Sequence, residues 1–485
     1  MILAALLLLL QAVPLLSTRW VADESWYTAP AHSLATTGEL RIRAFPSTSG
    51  QGRVESSSPL FMVVLAGIFK LLGTSLYTAR LQSLLSGIAG ILLTYLLGCE
   101  LQNRRIGLLA AVFLATDNMY VMASRTARQE TMTTVFALAG VLLYLYSSRR
   151  KSVGLAFLSG LAIGGAVQVH PHGLAAALAI GVLAFLEFRL RIVCRARPWA
   201  FAAALLLSLV PFLWWANSNP AYRQDFVHMY ASGELHPLSE IPSLELSRYA
   251  DFLGMPSSRF RMGIPVPYRL HVVLALLAAV FCLYRYNRPL LWKLMCFILP
   301  YMLWWAYIRN PSVRYTATAS PYFAILLAGA ALALWDQKPA WRRMVAAVAV
   351  LLFVAQVGSN YALLYLYRKA NYVQLADRLH GLIPRDATVY GSLVFWMAFH
   401  DQPYYSFNRT PLQYALDHGA SYLILNDTIM ATGSGYGEDD WRSVRQSATD
   451  YVRTQATLVG RAPNPYYGDL EIYRVNNPKP VPRQP

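Results

Sequence analysis

This chain has little charge. Only 14% of its 485 residues are Asp, Glu, Lys or Arg, against 56% hydrophobic residues and a mean hydropathy of +0.36. An ordinary soluble domain carries about 25% charged residues, so that class is excluded. Cysteine is scarce as well. Cys99, Cys194, Cys282 and Cys296 lie in or beside apolar runs and none falls in the long polar segments, which implies no disulfide framework. The patterns GxxxxGK[ST], HExxH and GxSxG are missing. Any energy for a reaction must therefore come with the substrate.

What the chain does have is a series of apolar runs separated by short basic clusters, the pattern of a polytopic membrane protein. The net charge of +17 points to nucleic acid only at first sight, because the Lys and Arg sit largely in the short loops that membrane orientation requires. No nucleic-acid partner is expected. The run from Ile2 to Leu16 lacks a basic n-region and a small-residue cleavage site, and reads as a retained first span.

Sidedness follows from the basic clusters. Arg104-Arg105, Arg149-Arg150-Lys151, Arg189 to Arg197, Arg285 with Arg288, and Lys338 to Arg343 occur at alternate loops. If the short apolar stretch Pro59 to Leu72 lies on the outer surface, all five clusters fall inside; if it spans, all five fall outside. The non-spanning reading places spans at roughly 1–17, 78–98, 106–123, 131–147, 153–169, 173–190, 199–216, 269–284, 289–307, 316–335 and 341–361. That is an α-helical polytopic membrane protein of about 11 transmembrane helices over residues 1–361, with outer loops at 18–77 and 217–268. Residues 362–485 are polar and change periodicity. Strands are expected at 388–394, 421–426 and 470–475, with helices at 411–418 and 442–453, hence a small extracytoplasmic α/β domain at the C-terminus.

This topology puts several reactive groups on the outer face. Asp23 and Glu24 are adjacent carboxylates in Trp20-Val-Ala-Asp-Glu-Ser-Trp-Tyr27, beside the first span. On spacing alone they serve equally well as solvated loop residues. Glu130 opens an apolar run behind Arg125 and Arg128, and an ionisable group at membrane depth is a functional candidate; pairing with one of those arginines is the alternative. Asp117 is a weaker candidate. His170 and His172 flank a proline between two spans and suit a phosphate or substrate contact, a metal or a plain turn. Arg314 and Tyr315 precede a late span, where Arg offers a planar fork for phosphate oxygens or both act as interfacial anchors.

Taken in order, these features resemble a known family. They are the Asp23-Glu24 motif with Tyr27, Ser58-Pro59-Leu60, Gly73, Ala79-Arg80-Leu81, Arg104-Arg105-Ile-Gly-Leu-Leu-Ala, the acidic start of the fourth span, Gly160-Leu-Ala-Ile-Gly, and Arg314-Tyr315 with Pro321. Over roughly residues 18–335 the pattern is similar to the GT-C fold membrane glycosyltransferases of the family 39 type, which include protein O-mannosyltransferases and the bacterial lipid A aminoarabinose transferase. The resemblance implies an inverting enzyme of a bacterial plasma membrane. It would move a sugar from a polyprenyl-phosphate carrier to an extracytoplasmic lipid, glycan or protein hydroxyl. By position Asp23 matches the catalytic aspartate, Glu130 the second acidic residue, and Arg314 an arginine before a late span. Glu24, Tyr27, Arg128, His172, Arg314 and Tyr315 are the expected substrate contacts, and Trp26 and Tyr27 could stack on the sugar. The aminoarabinose branch has lysines near the positions of Ser58 and His172, so this chain departs from that donor's pattern. No cofactor is certain; a divalent cation would use Asp23, Glu24 and Glu130. The competing class is a lipid or sugar transporter or flippase, which predicts inverted repeats; no internal symmetry is found.

Overall fold

The computed structural model describes residues 1–45, 53–54, 59–218, 267–307, 313–425 and 438–480. The helices in the first half are α1 (Ile2–Ala12), α2 (Ala22–Thr37), α3 (Pro59–Leu72), α4 (Leu76–Leu101), α5 (Arg104–Thr116), α6 (Asn118–Ser124), α7 (Glu130–Arg150), α8 (Val153–Val169), α9 (Gly173–Phe188) and α10 (Ala196–Asn217). They continue as α11 (Pro267–Tyr286), α12 (Arg288–Tyr307), α13 (Ser320–Trp335), α14 (Pro339–Tyr367), α15 (Tyr372–Leu382), α16 (Leu412–Asp417) and α17 (Glu438–Gln455).

The chain divides into two compact units. One comprises Met1–Pro14, Ser58–Phe61 and Leu81–Leu363; the other comprises Leu15–Ser57, Met62–Arg80 and Leu364–Pro485. The division between Leu363 and Leu364 lies beside the boundary expected at residue 361. The first polar segment, read as a loop of the membrane domain, belongs to the same unit as the C-terminal domain. The reason is hydrogen bonding: Tyr372 N donates to Ser17 O (2.9 Å) and Ser406 N to Ala44 O (3.0 Å).

In the first unit α7 packs on α8, α8 on α10, and α5 and α11 on α13. Small residues permit these approaches, as expected where lipid gives helices no hydrophobic drive to associate. A Cβ at Gly160 of α8 would lie 2.2 Å from Phe201 O on α10. One at Gly98 of α4 would lie 2.7 Å from the Cα of Gly107 on α5.

Among the described residues five helices are long and apolar enough to cross a membrane: Leu76–Leu101, Glu130–Arg150, Gly173–Cys194, Ala196–Trp215 and Pro339–Ala362. The straight span expected at 106–123 is instead two helices, α5 and α6, bent by 68°. Asp117 makes the break. Its Oδ1 accepts from Tyr120 N (2.8 Å), capping α6, and from Ser320 Oγ (3.0 Å) of α13. Val153–Val169 and Ser320–Trp335 are shorter apolar helices, as is the apolar part of α11 at Val273–Tyr286.

The second unit holds a five-stranded sheet made of β3 (Val389–Gly391), β4 (Tyr404–Ser406), β5 (Tyr422–Leu425), β6 (Ala456–Asn464) and β7 (Gly468–Val475), after a short antiparallel pair β1 (Arg41–Ile42) and β2 (Arg53–Val54). Its order is β4-β3-β5-β7-β6, with β3 parallel to β4 and β5, and β7 antiparallel to β5 and β6. The strand expected over 388–394 stops at Gly391. There Ser392 Oγ accepts from Val394 N (3.4 Å) and starts a 3-10 helix, Leu393–Phe399. Residues 22–37, read as loop, form α2. Glu24 turns back to accept from Val21 N (3.1 Å), the acidic pair sits in the positive first turn, and Gly38 (φ +77°) ends the helix.

Candidate active site

The acidic pair splits into two different environments. Asp23 and Glu24 are consecutive, so the helix turns them about 100° apart. Asp23 is half-buried, whereas Glu24 is fully buried. Glu24 meets Arg80 from the start of α4, also fully buried: Nε donates to Oε1 and Nη2 to Oε2, both at 2.8 Å. Arg80 spends its other donors on the turn before α2. Nη1 donates to Leu16 O (2.7 Å) and Thr18 O (3.2 Å), and Nη2 to Arg19 O (2.7 Å). A guanidinium has five N–H groups, and all five are used. Both oxygens of Glu24, named above among the expected substrate contacts, are thus engaged inside the protein.

Tyr27 lies one helical turn beyond Asp23 and is half-buried. Trp26 is already in contact with protein groups. Phe45 packs at 4.9 Å and the Arg409 guanidinium lies 5.5 Å from its ring centroid. Further along α2, His32 Nδ1 lies 2.8 Å from Thr74 Oγ1, with the rings of His400 (5.3 Å) and Trp396 (5.8 Å) edge-on. Burial, then the neighbouring His400, pushes the His32 pKa down to about 4.

The first unit gathers a second set of candidates. Arg128 precedes α7, and its Nε and Nη2 hold Glu130 Oε1 at 2.8 and 2.7 Å. Arg128 is therefore a partner that these distances identify. Glu130 Oε2 is buried and accepts no hydrogen bond among the described residues. Ser83 of α4 fixes this corner, donating to Arg128 O (2.9 Å) and accepting at its own carbonyl from Thr131 Oγ1 (3.2 Å). The start of the late segment, the 3-10 helix Val313–Thr318, packs against α7. Its Tyr315 ring sits 4.0 Å from His172 and 5.3 Å from His170, and the two imidazoles are 4.2 Å apart. Burial holds both imidazoles neutral: His170 falls to about 3, helped by Arg128, and His172 falls well below its ordinary value, helped by His170. So His172 can meet a phosphate only as a neutral hydrogen-bonding group. Arg314 lies in the same 3-10 helix, but its side chain is outside the described residues, as are Ser58, Arg309 and loop residues 219–266.

Residues 56–215 match the family described as dolichyl-phosphate-mannose-protein mannosyltransferase. ArnT from Cupriavidus metallidurans bound to undecaprenyl phosphate aligns with a TM-score of 0.66 at 13% identity, covering 98% of each chain. Its apo state gives 0.68, again at 13% identity, over 97% of each. The Archaeoglobus fulgidus oligosaccharyltransferase in complex with Zn and sulfate gives 0.56 at 12% identity, covering 97% of this chain and 72% of that one. No curated protein sequence matches. The chain has the GT-C fold.

Within this GT-C chain the most informative residue that sequence reasoning left without a role is Arg80. Its signal was legible, because an arginine near the start of a 26-residue apolar helix needs a partner. Tyr467 and Arg409 had no such signal, since both approach α2 from more than 380 residues away in the chain. Among the described residues no group of three or more His, Cys, Asp or Glu side chains is placed to hold a metal ion. Of the three carboxylates considered as ligands, Glu24 commits both oxygens to Arg80 and Glu130 commits Oε1 to Arg128.

Proposed function

We propose that this protein is an inverting glycosyltransferase of a bacterial plasma membrane. It takes a sugar from a polyprenyl-phosphate carrier and delivers it to a hydroxyl of a lipid, glycan or protein on the extracytoplasmic side. The observation that carries the reading is the division of the acidic pair. Arg80 withdraws Glu24 completely, which leaves Asp23 as the half-exposed carboxylate at the N-terminus of α2. ArnT was solved with undecaprenyl phosphate and the archaeal oligosaccharyltransferase with dolichol-phosphate, which supports the same carrier class here.

In this reading Asp23 removes the proton of the acceptor hydroxyl as its oxygen bonds to the anomeric carbon. The bond from that carbon to the carrier phosphate breaks through an oxocarbenium-like state, and the polyprenyl phosphate leaves with the electron pair. A single displacement inverts the configuration. The phosphate is already a competent leaving group, so no nucleotide fold is needed. Arg128 and Arg314 supply positive charge for the departing phosphate, with neutral His172 and Tyr315 as hydrogen-bonding neighbours. Glu130 fixes Arg128 and offers Oε2 to the donor sugar. Asp23 alone of the three acidic candidates has its carboxylate assigned to the acceptor.

The test is release of polyprenyl phosphate in proteoliposomes given dolichyl-phosphate mannose and, separately, undecaprenyl-phosphate pentose and hexose. Turnover of one of them, with an inverted product linkage, supports the reading. Movement of intact carrier across the bilayer with no release of polyprenyl phosphate would replace it with the flippase.

A further inference from the structure

The bonds that aim the acidic helix come from the far end of the chain. Trp20 is fully buried and belongs to no helix or strand, so its backbone N–H and C=O both need partners. One group serves both. The Tyr467 hydroxyl accepts from Trp20 N (2.7 Å) and donates to Trp20 O (2.6 Å). A phenol carries one proton and accepts through its lone pairs, so this side chain imitates a paired strand for a single residue.

The β6–β7 turn is shaped to deliver that hydroxyl. Asn464 Oδ1 accepts from Tyr466 N (2.9 Å) and Tyr467 N (3.2 Å), and Gly468 takes φ +79° to re-enter β7. The Tyr467 ring is 1% exposed, held edge-on against Phe395 (5.7 Å) and Tyr372 (6.3 Å). Beside it the Arg19 guanidinium lies 4.8 Å from the Tyr466 ring centroid. Trp20 then passes the constraint onward: Nε1 donates to Ser25 Oγ (2.6 Å), and the indole lies 5.3 Å from the Arg80 guanidinium. Only Val21 and Ala22 separate this clamped residue from Asp23.

We propose that Tyr467 is a positioning residue for Asp23, and that the C-terminal α/β domain is thereby part of the catalytic apparatus. Without the hydroxyl the Trp20 peptide must rotate to find other partners, and α2 starts from a different place. A shift of about 1 Å in a reacting group costs about 100-fold in rate. The kinetic half of this inference rests on the proposed transfer reaction; the structural half does not.

The experiment uses full-length Tyr467→Phe, which keeps the ring and removes only the hydroxyl, in nanodiscs and proteoliposomes. In the first arm, backbone amide exchange over residues 19–24 accelerates more than about 10-fold, while peptides of α7 and the sheet are unchanged. In the second, polyprenyl phosphate release from the donor that the wild type uses falls about 10- to 100-fold in kcat, with donor KM within about 2-fold. The double variant with Asp23→Asn is no slower than Asp23→Asn alone, because both changes act through one carboxylate. Unchanged exchange, or a lowered melting temperature with kcat intact, overturns the proposal. If Tyr467→Phe does not fold, the Trp20 amide of the wild type decides: strong protection supports the clamp and rapid exchange overturns it. A wild type that releases no polyprenyl phosphate defeats the transfer reading, while the exchange arm still judges Tyr467.

Discussion

Glu24 and Arg80 form a bidentate ion pair with neither side chain exposed, and the same arginine ties down three carbonyls of the turn before α2. Removing one partner of such a pair leaves the other charge buried and costs about 3–5 kcal/mol. Glu24→Gln and Arg80→Ala should each lower the melting temperature in nanodiscs markedly. Arg80→Lys should also destabilise, since an ammonium has three donors and lacks the planar fork. A lysine variant that melts with the wild type would show that the fork geometry is unimportant.

Arg128 and Glu130 form the second buried pair, and it differs by having one oxygen in reserve. Arg128→Ala should reduce kcat/KM for the polyprenyl-phosphate donor by about 100- to 1000-fold if the guanidinium steadies the leaving phosphate. Glu130→Gln keeps the shape and loses the charge. Its effect should be smaller in binding than in turnover, which steady-state kinetics over donor concentration will separate.

His32 gives the second unit an acid limit. Its pKa is 6.5 when unfolded and about 4 when folded, so between those values the unfolded chain binds a proton that the native one refuses. Stability from this residue is therefore complete above about pH 6.5 and falls as pH drops toward 4. The groups facing His32 are Thr74, Trp396 and His400, with Asp401 opposing the shift and Arg43 adding to it. His32→Gln should flatten the melting temperature over this window. An unchanged slope would move the origin to another group.

Burial holds His170 down to about 3 and His172 well below its ordinary value, so both resist protonation as pH falls. Donor KM should be flat from about pH 5 to 8, and His172→Ala should raise it about 10-fold at every pH. A donor KM that rises near pH 6.5 and loses that rise in His172→Ala would mean that His172 binds phosphate as a cation.

Much of this arrangement is written in local pattern. Hydrophobic run length marked most of the long helices, and the bounds Pro59–Leu72 were legible from an apolar stretch closed by Gly73. Runs rich in strand-forming residues marked β5 and β7, whereas β4 is three residues long and β6 carries Gly460 and Pro463, which hide a strand signal. The break at Asp117 was hidden because Thr116-Asp117-Asn118 is a short polar interruption of a long apolar run, and only the cap marks it as a helix start. For the site, adjacency of Asp23 and Glu24 flagged both but could not divide them. The division depends on Arg80, 56 positions on, and the clamp depends on Tyr467, 447 positions from Trp20. Such long-range contacts leave no periodicity to read.

The most direct measurement is polyprenyl phosphate release by Asp23→Asn in proteoliposomes, beside the wild type with the same donor. The account predicts a loss of at least about 100- to 10,000-fold, with melting temperature and amide exchange over α2 unchanged. Turnover near the wild-type rate in a folded Asp23→Asn protein would contradict it.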